Sequence, residues 1–153
     1  MKRNCPGFTL IELLLIFSLM SLLFSLGVAQ YNRFNRRQAL NKAKDELISN
    51  LRLAQGKSLA AEKPAGCTNT LTGHKLVFIN GNNQDYKIVA VCGNEPELKT
   101  GMSLPEDVVK QGNPTQEVFF KALSQGVETE TTFTLSGFGE TRVITVTTAG
   151  EIK

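Results

Sequence analysis

Tryptophan is absent from this 153-residue chain, histidine occurs once, at His74, and there is no Cys-x-x-Cys pair. A zinc site needs several histidine or cysteine ligands at short spacing, so the sequence offers no zinc site. It also lacks a Gly-x-Ser-x-Gly segment, a phosphate-binding glycine loop and a pairing of histidine with cysteine. We therefore expect no catalytic residue, no metal and no cofactor, which disfavours a signal-anchored extracytoplasmic enzyme.

Proline is missing from residues 8–63, and this stretch has the pattern of one continuous helix. Residues 8–29 form a mostly apolar run with one charged side chain, Glu12, and roughly 20 such residues are enough for a helix to span a membrane. Pro64 ends the helical pattern. We expect a membrane-spanning first half and an amphipathic continuation over residues 30–63. The predicted buried stripe of that continuation is Leu40, Ala43, Leu47, Leu51 and Ala54.

Glu12 is the unexpected residue, because a carboxylate inside an apolar span costs on the order of 3 kcal/mol at the helix centre and less near its end. A cut between Gly7 and Phe8 would place a positively charged α-amine at i,i+4 spacing from Glu12. The carboxylate would also lie in the first turn, where the helix dipole favours negative charge. Two pairings of the Glu12 carboxylate fit the sequence, one with the amine of its own chain and one with the amine of a neighbouring chain. The second would fix the axial register of packed helices.

The segment GFTLIELL at Gly7–Leu14 lies between a short basic leader and the apolar run. It resembles the class III signal of bacterial type IV pilins and type II secretion pseudopilins. The resemblance implies that prepilin peptidase removes residues 1–7 and N-methylates Phe8, and that Glu12 sets the register of a helical filament. The implied partners are other pilin or pseudopilin subunits, the prepilin peptidase/N-methyltransferase, an inner-membrane assembly platform and, before assembly, membrane lipid. The implied location is the bacterial cytoplasmic membrane, crossed once with the C-terminal domain outside the cytoplasm, and later a pilus or pseudopilus.

Two further segments, LRLAQGKSLAAEKP and FTLSGFGETRVITVTTAGEI, resemble H-type minor pseudopilins and related minor pilins. We therefore expect a structural subunit of a type II secretion-type filament. A minor pilin for DNA uptake or adhesion and a major pilin are the alternatives. Residues 64–153 carry seven basic and ten acidic side chains, and this acidic balance argues against nucleic acid as a partner.

The remainder of the chain has the pattern of strands. The predicted strands are HKLVFI, YKIVAVC, EVFFKAL, TTFTLS and TRVITVTT. Residues 93–115 are expected to form a long loop whose acidic side chains are solvated, and a calcium site there is the alternative; these side chains are Glu95, Glu97, Glu106 and Asp107. One helix followed only by strands predicts an α+β, pilin-like fold, with the long N-terminal helix packed on the antiparallel sheet of a β-rich domain over residues 64–153.

The three cysteines divide between the leader and this domain. Cys5 would be removed with the leader, leaving Cys67 and Cys92 as an even pair outside the cytoplasm. We expect these two to form a disulfide, with two reduced, buried thiols as the alternative.

Two groups of basic side chains remain. His74 opens a predicted strand, and we expect its side chain to be solvated. Arg33, Arg36 and Arg37 follow the apolar run and either solvate the helix surface or pair with acidic groups of adjacent subunits.

Overall fold

The computed structural model describes residues 9–79, 83–113 and 116–153, and at 25–27 and 29 it describes the backbone alone. The chain divides into two compact units, Met1–Arg36 and Arg37–Lys153. The described elements are α1 (Leu10–Leu59), β1 (Gly73–Phe78), β2 (Asp85–Val91), β3 (Glu97–Ser103), β4 (Val108–Gln111), β5 (Glu117–Lys121), β6 (Thr131–Gly137) and β7 (Glu140–Val146).

Helix α1 ends four residues before the predicted boundary at Lys63, because the chain turns away at Ala61. The backbone of Ala61 is in the left-handed region, with φ of 47°. Its N–H donates to the carbonyl of Ser58 over 3.0 Å, and the N–H of Glu62 donates to the carbonyl of Lys57 over 3.0 Å. This pair of bonds is a Schellman motif, which satisfies the last carbonyls of a helix and stops it.

The prediction of a membrane-spanning first half for this helix is wrong. In the part of the chain that the structure describes, no helix is long and apolar enough to cross a membrane. The predicted fold class, which included a membrane-spanning half of the helix, is therefore wrong. The predicted single-pass location in the inner membrane is wrong for the same reason.

The β domain contains two antiparallel sheets where one was expected. The first sheet has the order β3-β2-β1-β5 and the second has the order β4-β6-β7. The β1–β2 and β6–β7 hairpins match the predicted strands. The prediction of one long loop over residues 93–115 is wrong, because this segment of the chain contains β3 and β4. Each of them forms a ladder with a strand that was recognised, β3 with β2 and β4 with β6.

The buried core joins the second half of α1 to both sheets. The predicted helix stripe is confirmed, since all five of its side chains are at most 1% exposed. Phe78 of the first sheet lies between two rings, Tyr86 at 5.3 Å and Phe133 of the second sheet at 5.7 Å between centroids. Aromatic contacts at such distances stabilise beyond simple area burial, so this row of rings ties the sheets together.

Candidate functional site

The first turn of α1 carries the residue that the sequence singled out. Thr9 caps the helix, because its Oγ1 accepts a hydrogen bond of 3.4 Å from the backbone N–H of Glu12. The Glu12 carboxylate is exposed in the first turn, where the positive end of the helix dipole favours a negative charge. Gly7, Phe8 and Cys5 lie outside the described residues, so the predicted amine pairing with Glu12 stays a prediction.

An exposed apolar surface follows Glu12 along the helix. Ten large apolar side chains from Leu13 to Phe24 are more than two-fifths exposed. The more prominent ones are Leu14, Leu15, Phe17, Met20, Leu22, Leu23 and Phe24. A contiguous apolar surface of this kind is typical of a binding surface for another apolar partner.

Arg37 forms an ion pair within its own chain, with Glu140. Its Nε donates to Oε1 of Glu140 over 2.7 Å, and Arg142 bonds the other carboxylate oxygen over 3.1 Å. Hydrogen bonding by Arg37, supported by Arg142, holds the pKa of Glu140 below its ordinary value although burial opposes the shift. Arg142 also donates to Oδ1 of Asn41 on the helix over 2.9 Å. This network fastens the helix to the β6–β7 hairpin.

The predicted Cys67–Cys92 disulfide is confirmed. The two Cα atoms are 5.6 Å apart, which is within the usual range for a bridge. The bond joins the segment after α1 to the residue that follows β2. A hydrogen bond of 3.0 Å from the backbone N–H of Asn69 to the carbonyl of Cys92 reinforces this connection.

The prediction of a solvated His74 is wrong, because the side chain is completely buried. Its Nδ1 lies 3.1 Å from Oγ of Ser58 at the end of α1, and that hydroxyl donates to the carbonyl of Phe120 over 2.9 Å. Among the residues that the structure describes, none forms a hydrogen bond with its Nε2 atom. The period-two alternation of His74, Leu76 and Phe78 in β1 was the signal that places this side chain on the inner face.

We expect the buried His74 to make the domain less stable in mild acid. Burial, followed by the positive charge of Lys57, lowers the pKa of His74 in the folded state. As the pH falls, the unfolded chain therefore binds a proton at His74 before the folded chain does. The free energy of unfolding then decreases below about pH 6.5, by at most about 1.4 kcal/mol per pH unit. The pKa values of Glu62 and Glu140 are also lowered, so their contributions are lost only in stronger acid.

The measurement is the free energy of unfolding in denaturant at several values between about pH 7.5 and 5.5. The matched variant is His74→Gln, which keeps a polar side chain but does not titrate. Its stability should change less across this interval than that of the parent. The same slope in both proteins would assign the acid sensitivity to another group.

The acidic side chains of the predicted long loop are partly engaged in ion pairs. Glu95 lies 2.7 Å from Nζ of Lys75, and Glu97 lies 2.5 Å from Nζ of Lys87. Within the described ranges, no group of three or more histidine, cysteine or acidic residues is placed to hold a metal ion.

Comparison of this chain with protein-family models, with curated proteins and with solved structures finds no match.

Proposed function

We infer that this chain is the precursor of a structural subunit of a type IV pilus-like filament, of the minor pseudopilin kind found in type II secretion systems. Prepilin peptidase would cut between Gly7 and Phe8 and methylate the new amine. The chain would then assemble through α1 against other pilin or pseudopilin subunits, with the help of an assembly platform.

The observation that carries this proposal is the exposed apolar surface of α1, which lies on both sides of Glu12 in a capped first turn. Exposed apolar side chains in this number favour association with like surfaces. A carboxylate beside them is poorly placed for a purely apolar contact, and it is well placed to pair with an α-amine near the start of the helix. The folded unit Arg37–Lys153, with its disulfide, would form the globular part of the subunit.

The first test is processing by prepilin peptidase. Co-expression of the full chain with an active peptidase should shorten the protein by its first seven residues, as the Gly7-Phe8 motif requires. Intact mass spectrometry should also find one methyl group on the amine of Phe8.

The control is Gly7→Val, in which a branched side chain hinders approach of the protease to the backbone. This variant should remain at full length beside the same peptidase. An uncut parent chain in the presence of a peptidase that cuts another substrate would contradict the proposal.

The role within a filament is decided by abundance and by the effect of deletion. A minor pseudopilin should be scarce beside another subunit, and its deletion should stop export of secreted enzymes. A major pilin should dominate sheared filaments, and a DNA-uptake subunit should be required for transformation. The acidic balance of residues 64–153 favours the first role over the last.

A further inference from the structure

The connecting segment, residues 58–66, leads from the last turn of α1 to the disulfide, and both of its ends are fastened. Just before it, Gln55 donates to two backbone carbonyls, one in the loop after β5 and one in the loop after β7, over 2.7 Å each. At the far end, the side chain of Asn94 donates to the carbonyl of Gly66 over 2.7 Å, next to the bridge. The segment is therefore a short piece of chain held between two fixed points.

The connecting segment itself has little apolar contact with the domain. Ala54 is the last buried apolar side chain of α1, all of whose residues beyond Ala54 the structure describes. Within the segment Ser58 is completely buried, whereas each residue of 59–66 is half-buried or exposed. A segment with few buried apolar contacts opens at a lower free energy than the domain as a whole. Its attachment therefore depends on the polar contacts of Ser58.

Ser58 is bonded to three different parts of the β domain. Its hydroxyl donates to the carbonyl of Phe120 in β5 over 2.9 Å and accepts from the backbone N–H of His74 in β1 over 3.0 Å. Its own carbonyl accepts from the N–H of Leu123, in the turn after β5, over 2.9 Å. The end of α1 is thus held to the first sheet through one residue.

The side chain of His74 completes this group of hydrogen bonds in its neutral form. The hydroxyl proton of Ser58 is used at Phe120, so Nδ1 of His74, 3.1 Å from the same oxygen, carries the ring proton and donates it. The lone pair is then on Nε2, with which none of the described residues forms a hydrogen bond. Uptake of a proton in mild acid therefore adds a charge at a completely buried position, which disfavours the closed arrangement.

The charged groups that act on His74 lie at the end of α1. Lys57 opposes a positive charge on the imidazole, and Glu62, 2.5 Å from Nζ of Lys57, favours it. The cross-strand neighbours of His74 are Ala90 in β2 and Phe120 in β5, which carry no charge. Burial and Lys57 outweigh Glu62, so the pKa of His74 is lowered while the segment is closed. An open form, in which the imidazole is solvated, takes up the proton first.

We propose that the connecting segment is a pH-sensitive catch, which lifts from β1 and β5 when the imidazole of His74 is protonated. The buried stripe of α1 and the disulfide stay in place, because they lie on either side of the segment. This release is a local opening, distinct from the acid unfolding of the whole domain. It lies within the unit Arg37–Lys153 and does not rest on the function proposed above.

The test is amide hydrogen exchange of the full chain in a mild detergent, followed by NMR and corrected for the intrinsic exchange rate at each pH. The probes are the N–H groups of Ala61 and Leu123, both of which donate to the carbonyl of Ser58. The reference is the N–H of Leu135, within β6. The probes should exchange faster than the reference, as a local opening requires. Their protection should also fall about fivefold between about pH 7.5 and 5.5, because one proton is linked to the opening.

Two variants separate the role of the imidazole from a purely structural one. His74→Gln does not titrate, so the probes should still exchange faster than the reference but lose their pH dependence. Lys57→Gln keeps the histidine and removes the opposing charge, so the closed form takes up the proton more readily and the fall in protection should shrink to about twofold.

Three results would overturn the proposal. Probes as well protected as the N–H of Leu135 would show that the connecting segment does not open by itself. Protection that does not change with pH in the parent, or that changes equally in the parent and in His74→Gln, would exclude the imidazole as the trigger. An unchanged fall in Lys57→Gln would exclude it as well, and this variant leaves the buried residues of the domain intact.

Discussion

Replacing Cys67 and Cys92 with serine is expected to lower the free energy of unfolding by about 3.5 kcal/mol, from the entropy of closing a loop of this length. The sequence separation of the two cysteines is 25. The bridge holds the segment that follows α1 against the end of β2, so its loss also frees the exit of the helix from the sheet. A few kcal/mol is a large share of the stability of a small domain, and the melting temperature should fall by more than about 10 °C.

The measurement is denaturant or thermal unfolding of a chain that begins at Gln30. Every buried core side chain of the described residues lies at Leu40 or beyond, so this truncation leaves the core intact. The control is the parent chain after full reduction, which should unfold together with the double serine variant. Equal stability of the oxidised parent and the serine variant would show that the bridge contributes little to folding.

Truncating Leu51 to alanine is expected to destabilise the domain by about 2–5 kcal/mol. Leu51 is completely buried in the core where α1 meets the sheets. Its removal leaves a cavity that the surrounding β side chains fill only partly, so the cavity adds to the loss of apolar burial.

The matched control is Leu53→Ala, two residues further along the same helix. Leu53 is 39% exposed, and alanine is the better helix former, so this change should alter stability by less than about 1 kcal/mol. Urea unfolding of both variants at one pH measures the difference. A similar loss of stability in Leu51→Ala and Leu53→Ala would mean that the second half of α1 does not pack on the sheets through the face that carries Leu51.

Elements with strong local patterns could be predicted from the amino-acid sequence. The three- and four-residue spacing of Leu40, Leu47 and Leu51 was enough to identify the buried side of α1. Alternating apolar residues identified β1, β2, β5, β6 and β7, because a period of two marks a half-buried strand. The pairing of Cys67 with Cys92 followed from their number and expected compartment. For the candidate site, the sequence identified Glu12 and the apolar residues after it. The structure added that Thr9 caps the helix and that these apolar side chains are exposed.

The remaining features come from tertiary packing, since each depends on neighbours distant in the sequence. Strands β3 and β4 have weak patterns of their own and form because β2 and β6 offer partners for their backbone hydrogen bonds. The alternation of β1 places His74 on the inner face, but its partner there is Ser58 at the end of α1, 3.1 Å from its Nδ1, and one strand does not reveal that neighbour. Lys110 would be assigned to solvent from its charge, yet the alternation of β4 turns it inward, over the Phe78 ring. Local spacing thus fixes which side of an element is apolar, whereas packing between elements decides which polar side chains lose their water.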